Sequence, residues 1–184
     1  MSEPSDEDLL RQYQENSAAA FREIYLRHRV GTFNFILQLV KEKALAEDIH
    51  QEMWLGVVDS AKRWRPTGEF RSWLYQVARN RCYDHFRAKK RSIVDDDDGE
   101  VIEKADHHVP QPSDLKLREA VLHCIGELNA SQRQVFCLRA VEDLTFAQIT
   151  EVMASPPGLS NRRMQLAVDH LRGCLHGKGI REDA

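Results

Sequence analysis

"FRSWLYQVARNRCYDHFRAKKR", Phe70 to Arg91, decides how this chain is read. Its apolar residues Trp73, Leu74, Val77 and Ala78 fall three and four apart, the repeat of one helix face, and Tyr83 and Phe86 continue it. With those side chains turned inward, Arg71, Arg79, Asn80, Arg87 and Lys90 stand outward. Such a row suits a polyanion. Cations meet phosphates and release counterions, Arg and Asn can bond base edges, and aromatic rings can stack on unpaired bases. A solvated charged face over an ordinary core is the plainer reading, and Trp73 itself reads as core more than as a stacking platform.

The neighbourhood sharpens the choice. From Ala61 to Arg91, Lys62, Arg63, Arg65, Arg71, Arg79, Arg81, Arg87, Lys89, Lys90 and Arg91 face only Glu69 and Asp84, a net charge of +8 within a chain whose total is −3. From Ser92 to Asp106 the balance reverses to −6, with a DDDDG run at 95–99. Residues 92–113 carry few large apolar groups and two prolines, so they read as a flexible acidic linker, a soluble spacer between two ordered parts.

On both sides of that linker the apolar spacing is helical, with no alternating strand pattern and no fixed-period repeat. The first part predicts helices over 6–15, from Ser17 to about Lys41, over 45–64 and over 70–90, with Ser5 and Asp8 as a capping box. "RPTGE", Arg65 to Glu69, separates the last two by a proline and a glycine. The second part predicts helices over 114–128, 131–141, 145–153 and 158–175, capped at Ser131 and Thr145. "SPPG", Ser155 to Gly158, divides the last two as the tight turn of a helix-turn-helix does. The fold class is therefore all-α: two small helical domains, 1–91 and 114–178, on a flexible acidic tether at 92–113.

Several function classes drop out. No apolar run reaches membrane-spanning length, and "SEPSDEDLL" after Met1 is too acidic and polar for a signal peptide, so the expected location is cytoplasmic, without membrane insertion. Cys82, Cys124, Cys137 and Cys174 lie far apart without a CxxC pair, and they read as reduced, structural thiols. No ligand spacing joins them to histidines, so no metal site or cofactor is expected. There is no phosphate-binding glycine loop, no HExxH and no Ser/His/Asp or Cys/His arrangement, and therefore no catalytic residue to name.

"LAEDIHQEMWLGVV…RWRPTGEFRSWLYQVARNRCYDHFRAKKR", Leu45 to Arg91, resembles region 2 of the extracytoplasmic-function (ECF) class of bacterial RNA polymerase sigma factors. That class shows an AEDxxQExF-like stretch followed by a basic, aromatic FRxWLxxIARNxxxDxxR-like helix. "LNASQRQVFCLRAVEDLTFAQITEVM…GLSNRRMQLAVDHLRGCL", Leu128 to Leu175, is similar to region 4. The resemblance implies a non-enzymatic initiation factor that binds core polymerase, recognises the −10 and −35 promoter elements and promotes DNA melting.

It also implies roles for residues. The helix with Asp48, Ile49, Gln51, Glu52, Met53 and Trp54 would dock on the β′ clamp helices, the apolar three anchoring and the polar three fixing register. A base of the −10 non-template single strand would flip into a pocket at "RWRPTGEF", Arg63 to Phe70, with Arg63 and Arg65 as charge and Trp64 and Phe70 as walls. Trp64 reads almost as well as a core cap on the helix end. Arg71, Trp73, Arg79, Asn80, Arg87 and Lys90 would hold the melted strand, Asn80 near its start.

Region 4, expected on the β flap, would read the −35 element through Ser160, Asn161, Arg162, Arg163 and Gln165. It departs from the family pattern: "QIT" replaces "EIA", Leu159 stands where Thr usually caps, and Leu166, Val168 and Asp169 replace later arginines. An anti-sigma factor is the expected regulator. Two other readings stay open: a sigma-like adaptor or antagonist that docks without initiating, and a stand-alone helix-turn-helix regulator.

Overall fold

A computed structural model of the chain describes residues 3–65, 68–92 and 115–180. The expected linker at 92–113 lies outside them except for its first residue, Ser92, which ends a helix. Every regular element among the described residues is helical. The chain divides into two compact units. The first holds α1 (Asp6–Gln14), α2 (Ala18–Val40), α3 (Lys43–Ala61) and α4 (Phe70–Ser92). The second is built around α5 (Leu115–Glu127), α6 (Ala130–Phe136) and α8 (Leu159–Gly177), with the start of α7 (Phe146–Met153).

In the first unit the expected capping box forms: Ser5 Oγ accepts from Asp8 N at 3.1 Å, and the Asp8 carboxylate accepts from Ser5 N at 3.3 Å. Ser17 caps α2 through Ala20 N. Lys41 adopts a left-handed φ of 61° and turns the chain into α3. The helix expected to reach Trp64 stops at Ala61. Gln14 of α1 explains the stop: its Nε2 donates to Ala61 O and Trp64 O, both at 2.9 Å, and so satisfies carbonyls that a continuing helix would have used. The core runs through Leu9 and Leu10 of α1, Ile24, Phe35 and Ile36 of α2, Ile49, Met53 and Val57 of α3, and Phe70, Leu74, Tyr75 and Ala78 of α4. Phe86, expected on the apolar face of α4, is exposed beyond the end of that core.

The second unit corrects one cap. Asn129, not Ser131, opens α6: its side chain accepts from Gln132 N at 2.9 Å while Gln132 Oε1 accepts from Asn129 N at 3.3 Å. The helix also does not run evenly to Val141. Over Cys137–Val141 it widens, and Glu142 N reaches back five residues to Cys137 O. Arg133 is buried and donates to the carbonyls of Ile125, Gly126 and Leu128, which would otherwise be stranded at the end of α5.

A further correction concerns the cysteines. Cys124 of α5 and Cys174 of α8 are joined by a disulfide, with Cα atoms 5.8 Å apart and a sequence separation of 50. It lies in a cluster with Leu128, Ala167 and Leu171, flanked by Ile125, Phe136 and Leu175. Cys82 and Cys137 are free and buried, as expected. Burial pushes the Cys82 thiol up to about 12 and the Cys137 thiol up to about 11, so neither is a nucleophile near neutral pH.

Candidate nucleic-acid and partner interfaces

α1 helps to start α4, because Glu7 Oε1 accepts from Phe70 N at 3.1 Å and so satisfies an amide at the helix N-terminus. Phe70 is fully buried, so it is a floor and not an exposed pocket wall. Over it lie two half-buried rings: Trp64 at 5.9 Å and Trp73 at 5.5 Å between centroids, themselves 6.4 Å apart. Trp64, expected either as a pocket wall or as a core cap, packs on Phe70 at the start of α4 and remains half-buried. Trp73, read mainly as core, is only partly so. Arg63 and Arg65 beside them are exposed, while Pro66 and Thr67 fall outside the described residues.

Along α4, Asn80 and Arg87 are exposed, Arg71 and Arg79 half-buried. The Arg79 guanidinium lies 4.5 Å from the Tyr83 ring centroid, which holds it flat against the helix. Arg87 stands 3.4 Å from Asp84, a highly exposed pair of small energetic weight. Lys90 is helical, but its side chain falls outside the described residues. Of the row expected to face outward, Asn80 and Arg87 do so fully, Arg71 and Arg79 only in part, and the Trp64, Phe70 and Trp73 rings lie at the N-terminal end of the helix.

α3 needs a larger revision. Ile49, Met53 and Trp54 are buried in their own unit and cannot anchor a partner directly. Trp54 is edge-on to Tyr25 at 5.0 Å, and its Nε1 donates to His50 Nε2 at 2.9 Å. Burial pulls the His50 pKa down, only partly opposed by a backbone hydrogen bond to Arg29, in keeping with a neutral imidazole that accepts. What α3 does present is an exposed stripe of Asp48, Gln51, Glu52 and Leu55, four residues at helical spacing, with Leu55 62% exposed. Leu26 and Val30 of α2 are exposed as well. The sequence reading missed Leu55, although the interval 48, 51, 52, 55 carries the signal.

In the second unit, Asn161, Arg162 and Gln165 are exposed at the start of α8 and Arg163 is half-buried. Ser160, expected to reach a groove, is 1% exposed; its Oγ sits 3.3 Å from Thr150 Oγ1 and 3.4 Å from Ser155 Oγ, inside the turn between α7 and α8. The Thr of "QIT" thereby acquires a structural role. Gly158, with φ of 80°, takes the left-handed cap that a side chain at that position would strain.

No described helix is long and apolar enough to cross a membrane. The model of Sigma-70 region 2 matches residues 24–92, and that of Sigma-70 region 4 matches residues 118–171. The RNA polymerase sigma factor CarQ of Myxococcus xanthus is 27% identical over 168 residues, 90% of this chain and 95% of the relative. The ECF RNA polymerase sigma factor SigK of Mycobacterium sp. (strain KMS) is 27% identical over 171 residues, 91% and 89% of the two chains. Among solved structures, the sigma factor RpoE in complex with the anti-sigma factor NepR from Bartonella quintana aligns with a TM-score of 0.74 at 20% identity, over 85% of this chain and 96% of that one. CnrH in complex with the cytosolic domain of CnrY aligns at 0.67 and 20%, over 94% and 97%. With region 2 matched on the unit that carries the cationic helix, region 4 on the unit that carries the helix-turn-helix, and relatives of similar length, the chain belongs to the ECF class of RNA polymerase sigma factors.

Proposed function

We propose that Asp48, Gln51, Glu52 and Leu55 of α3 form the docking stripe for the β′ clamp helices of core polymerase, while Ile49, Met53 and Trp54 shape that stripe from beneath. The acids steer association and set register, and Leu55 supplies the apolar contact. Arg63, Arg65, Arg71, Arg79, Arg87 and Lys90 hold the phosphates of the −10 non-template strand. Trp64 and Trp73 offer ring faces to an unstacked base, with Phe70 as their floor. Asn80, exposed midway along α4, bonds a base edge where the duplex parts. Asn161, Arg162, Arg163 and Gln165 of α8 read the −35 element with region 4 held on the β flap, and Ser160 keeps the turn. The domains are 1–91, 92–113 and 114–178, acting in the cytoplasm. The solved complex of RpoE contains the anti-sigma factor NepR, which supports an anti-sigma partner covering these surfaces.

The observation that carries this reading is the placing of exposed Asn80 and Arg87 on a helix that begins at the Trp64–Phe70–Trp73 cluster. The chain performs no bond chemistry; melting is driven by preferential binding of the open strand.

The test combines the full chain with core polymerase and a genomic library and maps transcription starts. New starts sharing −10 and −35 sequences are expected. Core binding without starts would identify an adaptor, favoured by the exposed Leu166 on α8, and duplex binding without polymerase a stand-alone regulator. Within the sigma reading, Asn80→Ala should reduce open-complex formation about tenfold, the loss of one base contact, at unchanged core affinity. Normal initiation by that variant from linear template would remove Asn80 from the site.

A further inference from the structure

Folding brings together what the sequence keeps apart. One ligand atom each of His123, Cys124 and Cys174 lies within 4.8 Å of the others, although Cys174 is 50 residues from Cys124. Glu127, one turn along α5 from His123, reaches both sides of the cluster: its carboxylate is 3.5 Å from His123 Nδ1 and 3.4 Å from His170 Nε2 of α8. α5 and α8 therefore each contribute about one turn of metal-ligand chemistry, His123–Cys124–Glu127 and His170–Cys174. Two sulfurs, imidazole and carboxylate are the donor set that borderline-soft divalent ions select.

We propose that reduction of the Cys124–Cys174 disulfide converts this seam into a zinc(II)-class site, with His123, Cys124 and Cys174 as ligands and Glu127 at the fourth position. As a disulfide the two sulfurs are poor ligands. A dithiol reductant supplies two electrons and two protons by exchange: the S–S bond breaks, two thiols form on the chain, and the reductant closes its own disulfide. The metal ion then displaces the two thiol protons to solvent and forms two metal–sulfur bonds. Zinc–sulfur bonds of about 2.3 Å at a tetrahedral angle place the sulfurs roughly 3.8 Å apart, a separation that Cys Cα atoms 5.8 Å apart accommodate by side-chain rotation. Glu127 orients the His123 ring in the apo state, as carboxylates beside ligating imidazoles do. Cys82 and Cys137 take no part, being buried elsewhere.

The seam then holds α5 to α8 by one of two cross-links, sulfur–sulfur when oxidised or sulfur–metal–sulfur when reduced. This inference does not depend on the promoter reading, because its readout is metal binding.

The full chain is treated with a phosphine reductant, freed of metal and titrated with zinc(II) against a chromogenic chelator. Cobalt(II) serves as a spectroscopic probe. The reduced chain should take up one zinc per chain, and its cobalt form should show thiolate-to-metal charge transfer; the oxidised chain should show neither. Cys124→Ser/Cys174→Ser should abolish uptake. Because that variant also loses a structural cross-link, His123→Ala is the second probe: its side chain is nearly half exposed, its disulfide is untouched, and it should weaken zinc binding at least tenfold in the reduced chain. Reduced chain that binds zinc no more tightly than His123→Ala, or no more tightly than the oxidised chain, overturns the proposal, as does a disulfide that the phosphine fails to open in the folded protein.

Discussion

A mostly buried carboxylate in so small a helical unit needs partners, and Asp6 has two. Burial pushes its pKa up, but the His28 imidazole at 2.6 Å and the Arg27 guanidinium at 3.3 Å outweigh it, and the carboxyl lies below its ordinary value. The Arg27 side chain also donates to Pro4 O at 2.8 Å, so Asp6 ties the first turn of α1 to α2. A group whose pKa is depressed by folding contributes stability above its unfolded value, near 3.9, and loses it as pH falls through the folded value. Asp6→Asn keeps the shape and removes the charge. It should lower stability by about 2 kcal/mol at pH 7, the weight of charge-assisted hydrogen bonds. The difference from the parent chain should begin to shrink below roughly pH 4, where the unfolded carboxyl takes up its proton, and should vanish only once pH has fallen through the lower folded value. Denaturant titrations followed by tryptophan fluorescence at both pH values decide it; a difference that persists undiminished at low pH would show that shape, and not charge, binds α1 to α2.

At the scale of one element, α3 separates stability from binding by face. Met53 is buried and Leu55 exposed on the same helix. Leu55→Glu should leave the thermal midpoint within a degree or two while raising the dissociation constant for core polymerase at least tenfold, because it removes the apolar contact from an already acidic stripe. Met53→Ala should instead destabilise the chain by about 3 kcal/mol. Equal core affinity for Leu55→Glu and the parent would move the docking surface off α3. The same helix shows how far the sequence was legible. Helical period and turn residues give the α-helices of the described residues nearly whole, apart from the widened turn at Cys137–Val141, since apolar spacing is a local property. They do not tell which apolar residues a small unit keeps for itself: the resemblance to the family assigns Ile49, Met53 and Trp54 to a partner, Phe70 to a pocket and Ser160 to a groove, and all five are buried. A unit of four helices has little apolar surface to spare, so residues at core spacing serve the core first. Asn129 was passed over as a cap for Ser131, because both residues are good caps and only the reciprocal bond to Gln132 decides between them.

The Cys124–Cys174 link was beyond sequence reading for a different reason: it depends on the packing of α5 against α8, a whole-molecule property that no spacing between two cysteines encodes. Its consequence is also global. Joining residues 50 apart restricts the unfolded chain, and by chain entropy contributes about 4 kcal/mol to the unit that contains it. The three tryptophans, Trp54, Trp64 and Trp73, all belong to the other unit. Two optical signals therefore report different things. Far-ultraviolet ellipticity follows the helices of both units, and tryptophan fluorescence follows α1–α4 alone. Reduction with a phosphine, in the presence of a chelator so that no ion replaces the lost link, should lower the part of the ellipticity transition that belongs to the second unit by on the order of 15 °C. The fluorescence midpoint should stay where it was, since no residue between Cys124 and Cys174 contributes to that signal. A fluorescence midpoint that falls in step would mean the two units unfold as one, and an ellipticity curve indifferent to reduction would mean that the buried contacts of Leu128, Ala167 and Leu171, without the sulfur bridge, hold α5 to α8.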